Sequence, residues 1–409
     1  LLPVAAASGW WLARRDASAA RSPAPEAAPA FFRGLNYLLD EQPDKAIDVF
    51  LELAQVDNET VETHLALGSL FRRRGEVDRA IRIHQNLIAR DTLSREQRGF
   101  ALFELGQDYM RAGLLDRAEL LFQEVVDLGM HRERALIGLR DIYQQERDWV
   151  KCLTVVERLK PFTDRPVSNE IAQYHCELAE EAQRAGDTAV VRRHLARAQE
   201  VDPRCVRATM LEGRMASAAG DREAAAALFL RVADQAPAFV PEILSELIEA
   251  LEGLGRDPIP VLESLLDRHA SPLLVLALAG QVERARGGEA ALLTLTGYLD
   301  RHADLAALER LLALERETGT GEGAAGERQR VAHEVVRHLL SHEPAYRCDH
   351  CGFEARGLHW QCPSCKRWGS VQPVQPELIT GAVPLAGPRL AGDPGTGSAP
   401  SAGQEAVGP

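Results

Sequence analysis

Four cysteines near the end of the chain constrain its fold more than any other feature. They form two Cys-x-x-Cys pairs, Cys348 with Cys351 and Cys362 with Cys365, separated by the ten residues 352–361. Two such pairs at this separation are typical of a tetrahedral four-thiolate metal site, because each tight turn places two sulfurs on one side of an ion. The spacing therefore predicts one bound metal ion, and two disulfides or four free thiols are the alternative.

The same segment predicts the role of the metal ion and the packing of the domain that holds it. A closed shell of four sulfurs leaves no position for water or substrate, so we expect a structural role, with either iron or zinc as the ion. A hairpin of ten residues cannot bury the aromatic side chains around it, which are Tyr346, Phe353, Trp360 and Trp368. We therefore expect this metal domain (341–375) to pack on the helices before it and to support the C-terminal repeats.

Composition indicates an all-helical, acidic protein. The chain has 409 residues, a formal charge of −13 and only 5% aromatic residues, which argues against a general nucleic-acid binder. The remaining cysteines, Cys152, Cys176 and Cys205, stand alone with no pairing pattern. Isolated thiols fit a reducing cytosol better than an oxidising compartment.

The two ends of the chain differ from its middle. Residues 1–13 are apolar, include Trp10 and Trp11, and are followed at once by Arg14 and Arg15, as at the cytoplasmic edge of a membrane helix. We interpret residues 1–20 as the remnant of a transmembrane anchor, although 13 residues span only about 20 Å as a helix against roughly 30 Å of bilayer. A buried or frayed helix is the alternative. A Pro-rich linker (21–29) follows, and the Gly- and Pro-rich residues 376–409 predict a disordered tail.

Between the linker and the cysteines the chain repeats a pattern of small and bulky residues, and the step from Gly186 to Gly220 is 34 residues. The aligned sets are Gly68, Phe71, Gly75, Ala80 and His84; Gly106, Tyr109, Gly113, Ala118 and Phe122; and Gly213, Ala216, Gly220, Ala225 and Phe229. The pattern resembles the tetratricopeptide repeat, in which small residues stand where two helices cross. It predicts a solenoid over residues 30–340 with a degenerate last third. An unrelated helical bundle is the alternative.

Glycines and acids mark the turns of these repeats. Gly75, Gly113, Gly186 and Gly220 fall where one helix must stop. Glu76, Asp187 and Asp221 follow directly and place an acid near the start of the next helix. The chain carries no phosphate-binding loop, no His-Glu-x-x-His run and no nucleophile–base pair. We therefore expect a binding protein rather than an enzyme.

The order of these parts resembles one family. An apolar start ending in Arg14-Arg15 and a repeat array precede the motif Tyr346-Arg347-Cys348-x-x-Cys351-Gly352-Phe353…Trp360-x-Cys362-Pro363-Ser364-Cys365-x-x-Trp368. Together they look like the bacterial lipopolysaccharide assembly protein B family, and the resemblance covers residues 1 to about 375.

The resemblance implies a regulatory role at the cytoplasmic face of the inner membrane. Members of the family help a membrane AAA+ protease degrade the deacetylase that commits sugar nucleotide to lipid A, and they respond to an inner-membrane lipopolysaccharide-sensing protein. The alternatives are a scaffold for lipopolysaccharide-synthesis proteins with no proteolytic role, a rubredoxin-like electron carrier, and a general co-chaperone. The resemblance to tetratricopeptide repeats also implies a concave partner surface lined by the first helices, for which we predict Arg72, Phe103, Gln107, Arg111, Arg184 and Arg214. Solvated surface arginines are the alternative.

Overall fold

The computed structural model describes residues 32–34, 36–37, 42, 45–49, 61–164, 166–317, 324–340 and 344–374. The predicted anchor (1–20), linker (21–29) and tail (376–409) lie outside these residues. Among the described residues, no helix combines the length and the apolar character needed to cross a membrane.

Helices occupy most of the described chain, and from residue 61 they follow one another in antiparallel pairs. They are α1 (Val61–Arg74), α2 (Val77–Ile88), α3 (Arg95–Arg111), α4 (Leu115–Leu128), α5 (Arg132–Glu146), α6 (Trp149–Leu159), α7 (Ser168–Arg184), α8 (Thr188–Val201), α9 (Val206–Ala218), α10 (Arg222–Gln235), α11 (Leu244–Gly253), α12 (Ile259–Arg268), α13 (Pro272–Arg286), α14 (Gly288–Leu299), α15 (Leu305–Glu317) and α16 (Ala324–Leu340). Short 3₁₀ helices cover Lys160–Phe162 and Pro237–Ile243.

A small sheet follows the helices. Its strands are β1 (Tyr346–Cys348), β2 (Glu354–Ala355) and β3 (Val371–Pro373), in the order β2-β1-β3. The elements form two compact units. The first holds α1 to α11 together with Arg347–Gln372, and the second begins at Arg256 and holds α12 to α16.

Small residues bring the two helices of a pair together, as the repeat pattern predicts. A Cβ atom added to Gly106 on α3 would lie 2.7 Å from the ring of Phe122 on α4, and one added to Gly213 on α9 would lie 2.6 Å from Phe229 on α10. A Cβ atom added to Gly138 of the next pair would lie 2.7 Å from the same Phe122 ring, which is fully buried. The bulky residue therefore fills the space between successive units, which confirms the predicted repeat fold.

The turns between paired helices follow one backbone rule. Gly75, Gly113, Gly186 and Gly220 all adopt positive φ, from 76° to 86°, a conformation that glycine enters without a Cβ penalty. Their predicted position at helix ends is confirmed. The pair α5–α6 differs, because Arg147 occupies the same place with φ of 61°.

Acidic residues start several of the second helices. The side chain of Asp187 accepts a hydrogen bond from the amide of Val190, and that of Asp221 accepts one from Ala224, both at 3.0 Å. Glu76 is the N-terminal cap residue of α2 but makes no capping hydrogen bond through its side chain. A carboxylate one methylene longer does not reach the first-turn amide as an Asp does.

The degenerate part of the array keeps its helix pairs. The segment from Pro272 to Leu299, predicted to be one pair, forms α13 and α14. Ala291, Leu295 and Tyr298 of α14 are buried in a cluster with Val275 and Ala279 of α13. Apolar periodicity therefore persists where the small-residue signature has been lost.

The three remaining cysteines are buried and reduced, but they are not all isolated. The sulfurs of Cys176 on α7 and Cys205 before α9 lie 3.9 Å apart. The interpretation of three lone thiols is wrong for this pair. The two residues are 29 positions apart, so only the stacking of one unit on the next brings them together.

Candidate metal centre

Two turns of the same design present the four cysteines. In the first, the amide of Gly352 donates to the carbonyl of Cys348 at 2.9 Å. In the second, the amide of Lys366 donates to the carbonyl of Cys362 at 2.9 Å. The residue after each pair has positive φ, 74° at Gly352 and 60° at Lys366. This backbone reversal points each pair of sulfurs toward the other.

The sulfur positions match a tetrahedral site. Any two of the four ligand atoms lie within 4.8 Å of one another. Cys348 and Cys365 have sulfurs 3.7 Å apart, as do Cys351 and Cys362. An ion with four sulfurs at about 2.3 Å requires sulfur–sulfur edges of about 3.8 Å, whereas a disulfide requires about 2.0 Å. The geometry therefore fits one metal ion.

Burial and local hydrogen bonds shift the pKa values of two of the thiols. Burial raises the pKa of Cys348, but the Ser370 hydroxyl and the amides of Cys351 and His350 outweigh it and lower the pKa to about 6. At Cys362 burial is the largest effect and raises the pKa to about 11. The amides of Cys365 and Ser364 act in the opposite direction and lower it. Amides directed at sulfur are the usual outer partners of a thiolate-bound ion.

The donor set restricts the chemistry of the ion. Four thiolates suit Zn²⁺ or iron and close the tetrahedron, so no position remains for a reacting water molecule. Cys348 and Cys362 are buried, Cys365 is half-buried and Cys351 is exposed. The ion would therefore lie near the surface, with one ligand edge facing solvent.

Trp368 anchors this metal ribbon (residues 346–373) on the repeats. Its ring lies edge-on to Trp149 and Tyr174, with centroids 5.8 Å apart in both cases, and only 7% of the residue is exposed. Its Nε1 donates to Oε1 of Gln144 on α5 at 3.0 Å. Asn169 on α7 donates to the Trp368 carbonyl at 3.1 Å. The last aromatic residue of the motif is therefore part of the repeat core.

A second aromatic residue extends the contact toward α11. Trp360 stacks on Phe239 with ring centroids 5.5 Å apart and planes inclined by 10°. The guanidinium of Arg207, only 3% exposed, lies 5.6 Å from the same ring. Phe353 instead packs against His359 inside the ribbon, 6.3 Å between centroids.

The ribbon therefore packs on the middle repeats, from α5 to the 3₁₀ helix at Pro237–Ile243, within the first compact unit. The expectation that the ribbon packs on the repeats is confirmed, and its support of the C-terminal repeats stays a prediction. Its hydrogen bonds to α5 and α7 join residues 199 to 224 positions apart. No local spacing reveals such partners, so Gln144, Trp149, Asn169, Arg207 and Phe239 carried no signal in the sequence.

The residues predicted for a partner surface occupy different environments. Arg72 on α1 donates to Asp108 at 2.7 Å and also to Glu104, so its guanidinium joins α1 to α3. Phe103 is 4% exposed and packs in the core. Gln107 is half-buried.

The other three arginines of the predicted surface are exposed. Arg111 and Arg184 are exposed, and Arg214 is exposed and pairs with Glu246 at 3.0 Å. A shared partner surface for these residues stays a prediction.

Two family models match segments of the chain, one in the ribbon and one in the repeats. The family described as "Rubredoxin metal binding domain" matches residues 346–373, and "Tetratricopeptide repeat" matches residues 63–96. A solved C-terminal part of a TPR repeat-containing protein from Cytophaga hutchinsonii is similar with a TM-score of 0.38 and 14% identity, over 66% of this chain and 94% of that one.

Full-length relatives match nearly the whole chain. Lipopolysaccharide assembly protein B of Escherichia coli (strain K12) is 37% identical over 378 residues, which is 92% of this chain and 97% of that protein. The protein of the same name from Haemophilus influenzae is 34% identical over 389 residues, 91% of this chain and 97% of that protein. The chain therefore belongs to the lipopolysaccharide assembly protein B family.

Proposed function

We propose that this chain is a non-catalytic adaptor in lipopolysaccharide assembly. The observation that carries the proposal is the packing of the metal ribbon on the repeats through Trp368. A closed thiolate site whose aromatic neighbour lies in the repeat core acts as a structural part of a binding scaffold. The names of the relatives supply the process in which the scaffold acts.

The finer proposal concerns partners. The adaptor sits at the cytoplasmic face of the inner membrane, held by residues 1–20, and presents the lipid A-committing deacetylase to a membrane AAA+ protease. An inner-membrane lipopolysaccharide-sensing protein adjusts this activity. Tethering next to the bilayer raises the effective concentration of a membrane protease without any new contact. The resemblance to the family supports these partners.

The half-life of the deacetylase in living cells tests the adaptor role. Cells with the full chain should degrade the deacetylase faster than cells without it. A chain lacking residues 1–20 should lose this effect. So should R111A/R184A, because both arginines are exposed on the first helices of their units. Arg82 is an exposed residue of α2, and R82A serves as the matched control. Equal half-lives with and without the chain would leave a scaffold with no proteolytic role.

A second candidate, an electron carrier, rests on the exposure of Cys351. An exposed sulfur edge is the route by which an electron reaches a four-thiolate iron. The iron-loaded protein would then show a reversible one-electron wave and accept electrons from a reductase. A zinc-loaded protein with full activity in the half-life assay would contradict this candidate, because zinc has no redox chemistry.

A further inference from the structure

A cleft of about 800 Å³ lies between the middle repeats and the metal ribbon. Residues of α5 form one wall and the second cysteine turn forms the other, with Gln144 and Gln361 where they meet. Met110 contributes an apolar patch. All of these residues belong to the first compact unit.

Arg147, on the repeat wall, has an unusual backbone. It occupies the position between paired helices that Gly75, Gly113, Gly186 and Gly220 occupy elsewhere, and it adopts the same left-handed conformation with φ of 61°. A residue with a Cβ pays roughly 1–2 kcal/mol to enter this region. Packing does not require a large side chain here, because Arg147 is exposed.

Lys366, on the ribbon wall, likewise stands where the related turn has a glycine. It follows the second cysteine pair as Gly352 follows the first, and its φ of 60° is again left-handed. It too is exposed. Two structural motifs, unrelated to each other, therefore each replace their glycine with a basic residue, and both replacements line one cleft. Strained residues that cluster at one place are typical of binding sites.

The balance of charge in the cleft is positive although the protein is acidic. Arg140 pairs with Asp141 at 2.9 Å and with Glu170 at 3.4 Å, which accounts for the two acids of the lining. Arg147, Lys366 and Arg367 make no ion pair with any residue that the structure describes. Three exposed basic side chains therefore remain to face an incoming group.

We propose that this cleft binds an acidic segment of a partner protein in extended conformation. The basic groups stand on two opposite walls rather than around one point, which suits successive carboxylates better than a single small anion. The two glutamines at the junction bond to each other through Nε2 of Gln361 and Oε1 of Gln144, so Nε2 of Gln144 and Oε1 of Gln361 are the groups they can offer to a peptide backbone. The segment's source rests on the proposed adaptor function, but the binding itself is a property of the cleft.

Fluorescence anisotropy with the metal-loaded full chain tests the proposal. The probe is a fluorescein-labelled eight-residue peptide of alternating Glu and Ser, and its Lys–Ser counterpart is the negative probe. The acidic peptide should bind, and its affinity should fall with added KCl.

R147G and K366G should each weaken binding about fivefold, and the double variant should weaken it further. R147K should keep the affinity, and R82A, outside the cleft, should not change it.

Thermal unfolding of the same variants separates binding from folding. R147G and K366G restore the glycine of each motif, so their unfolding midpoints should equal or exceed that of the unaltered chain, with the metal content unchanged. Equal peptide affinity in the unaltered chain and the double variant would overturn the proposal. Displacement of the peptide by inorganic phosphate below about 1 mM would overturn it in favour of a small-anion site. The deacetylase half-life is a separate readout, so the adaptor role and the cleft can fail independently.

Discussion

Trp368 of the metal ribbon donates a hydrogen bond from Nε1 to Oε1 of Gln144 on α5 at 3.0 Å. The two residues are 224 positions apart, and the same glutamine accepts a bond from the Gln361 side chain. One amide oxygen therefore satisfies two donors of the ribbon. The metal site is joined in this way to the middle of the repeat array.

W368A should destabilise the repeats as well as the ribbon. The ring packs on Trp149 and Tyr174, and its removal leaves a cavity in a shared core. We expect a loss of about 3–5 kcal/mol in the free energy of unfolding, measured by urea denaturation followed by circular dichroism at a helix wavelength. F353A is the control, because Phe353 packs within the ribbon. A helix signal that unfolds at the same urea concentration in W368A and the unaltered chain would show that the ribbon is independent.

G106A should destabilise the array by about 1–3 kcal/mol, because the added methyl group would overlap the Phe122 ring. G280A is the matched control in α13, where an added Cβ has no atom of the described residues within 4 Å. That change should stabilise the chain by up to about 1 kcal/mol through helix propensity. Chemical denaturation of both variants measures the difference. If both substitutions change the free energy of unfolding equally, Gly106 is not required for the close approach of α3 and α4.

His175 should make the protein less stable at acid pH. Burial, followed by His194 and Arg197, lowers its pKa to about 4 from an ordinary value of 6.5. The unfolded chain therefore takes up this proton near pH 6.5 and the folded chain near pH 4, so stability is lost as the pH falls between these values. H175Q should reduce the loss between pH 7 and pH 4.5 by about 1–2 kcal/mol, given that the ring is half-buried. Urea denaturation at the two pH values checks this. Parallel losses in both proteins would contradict it.

Local patterns in the sequence predict the parts of this fold that depend on neighbouring residues. The cysteine spacing predicts the metal site, and the recurring glycines predict helix crossings and turns, because both follow from geometry within a few residues. The contact of Trp360 with Phe239 joins separate elements, and no local pattern carries it. Phe103 illustrates the same difference, since its place on a first helix suggested a surface that the stacked units bury.

Amide hydrogen exchange with and without the metal tests most directly whether the ribbon is a structural part of the repeat scaffold. The comparison uses the metal-loaded chain and the C362S/C365S variant, in which two of the four cysteines of the site are replaced. Loss of the metal should increase exchange in the ribbon, in α5 to α7 and in the 3₁₀ helix at Pro237–Ile243, while α2 keeps its protection. Increased exchange confined to residues 346–373 would contradict the account, because the repeats would then not depend on the metal site.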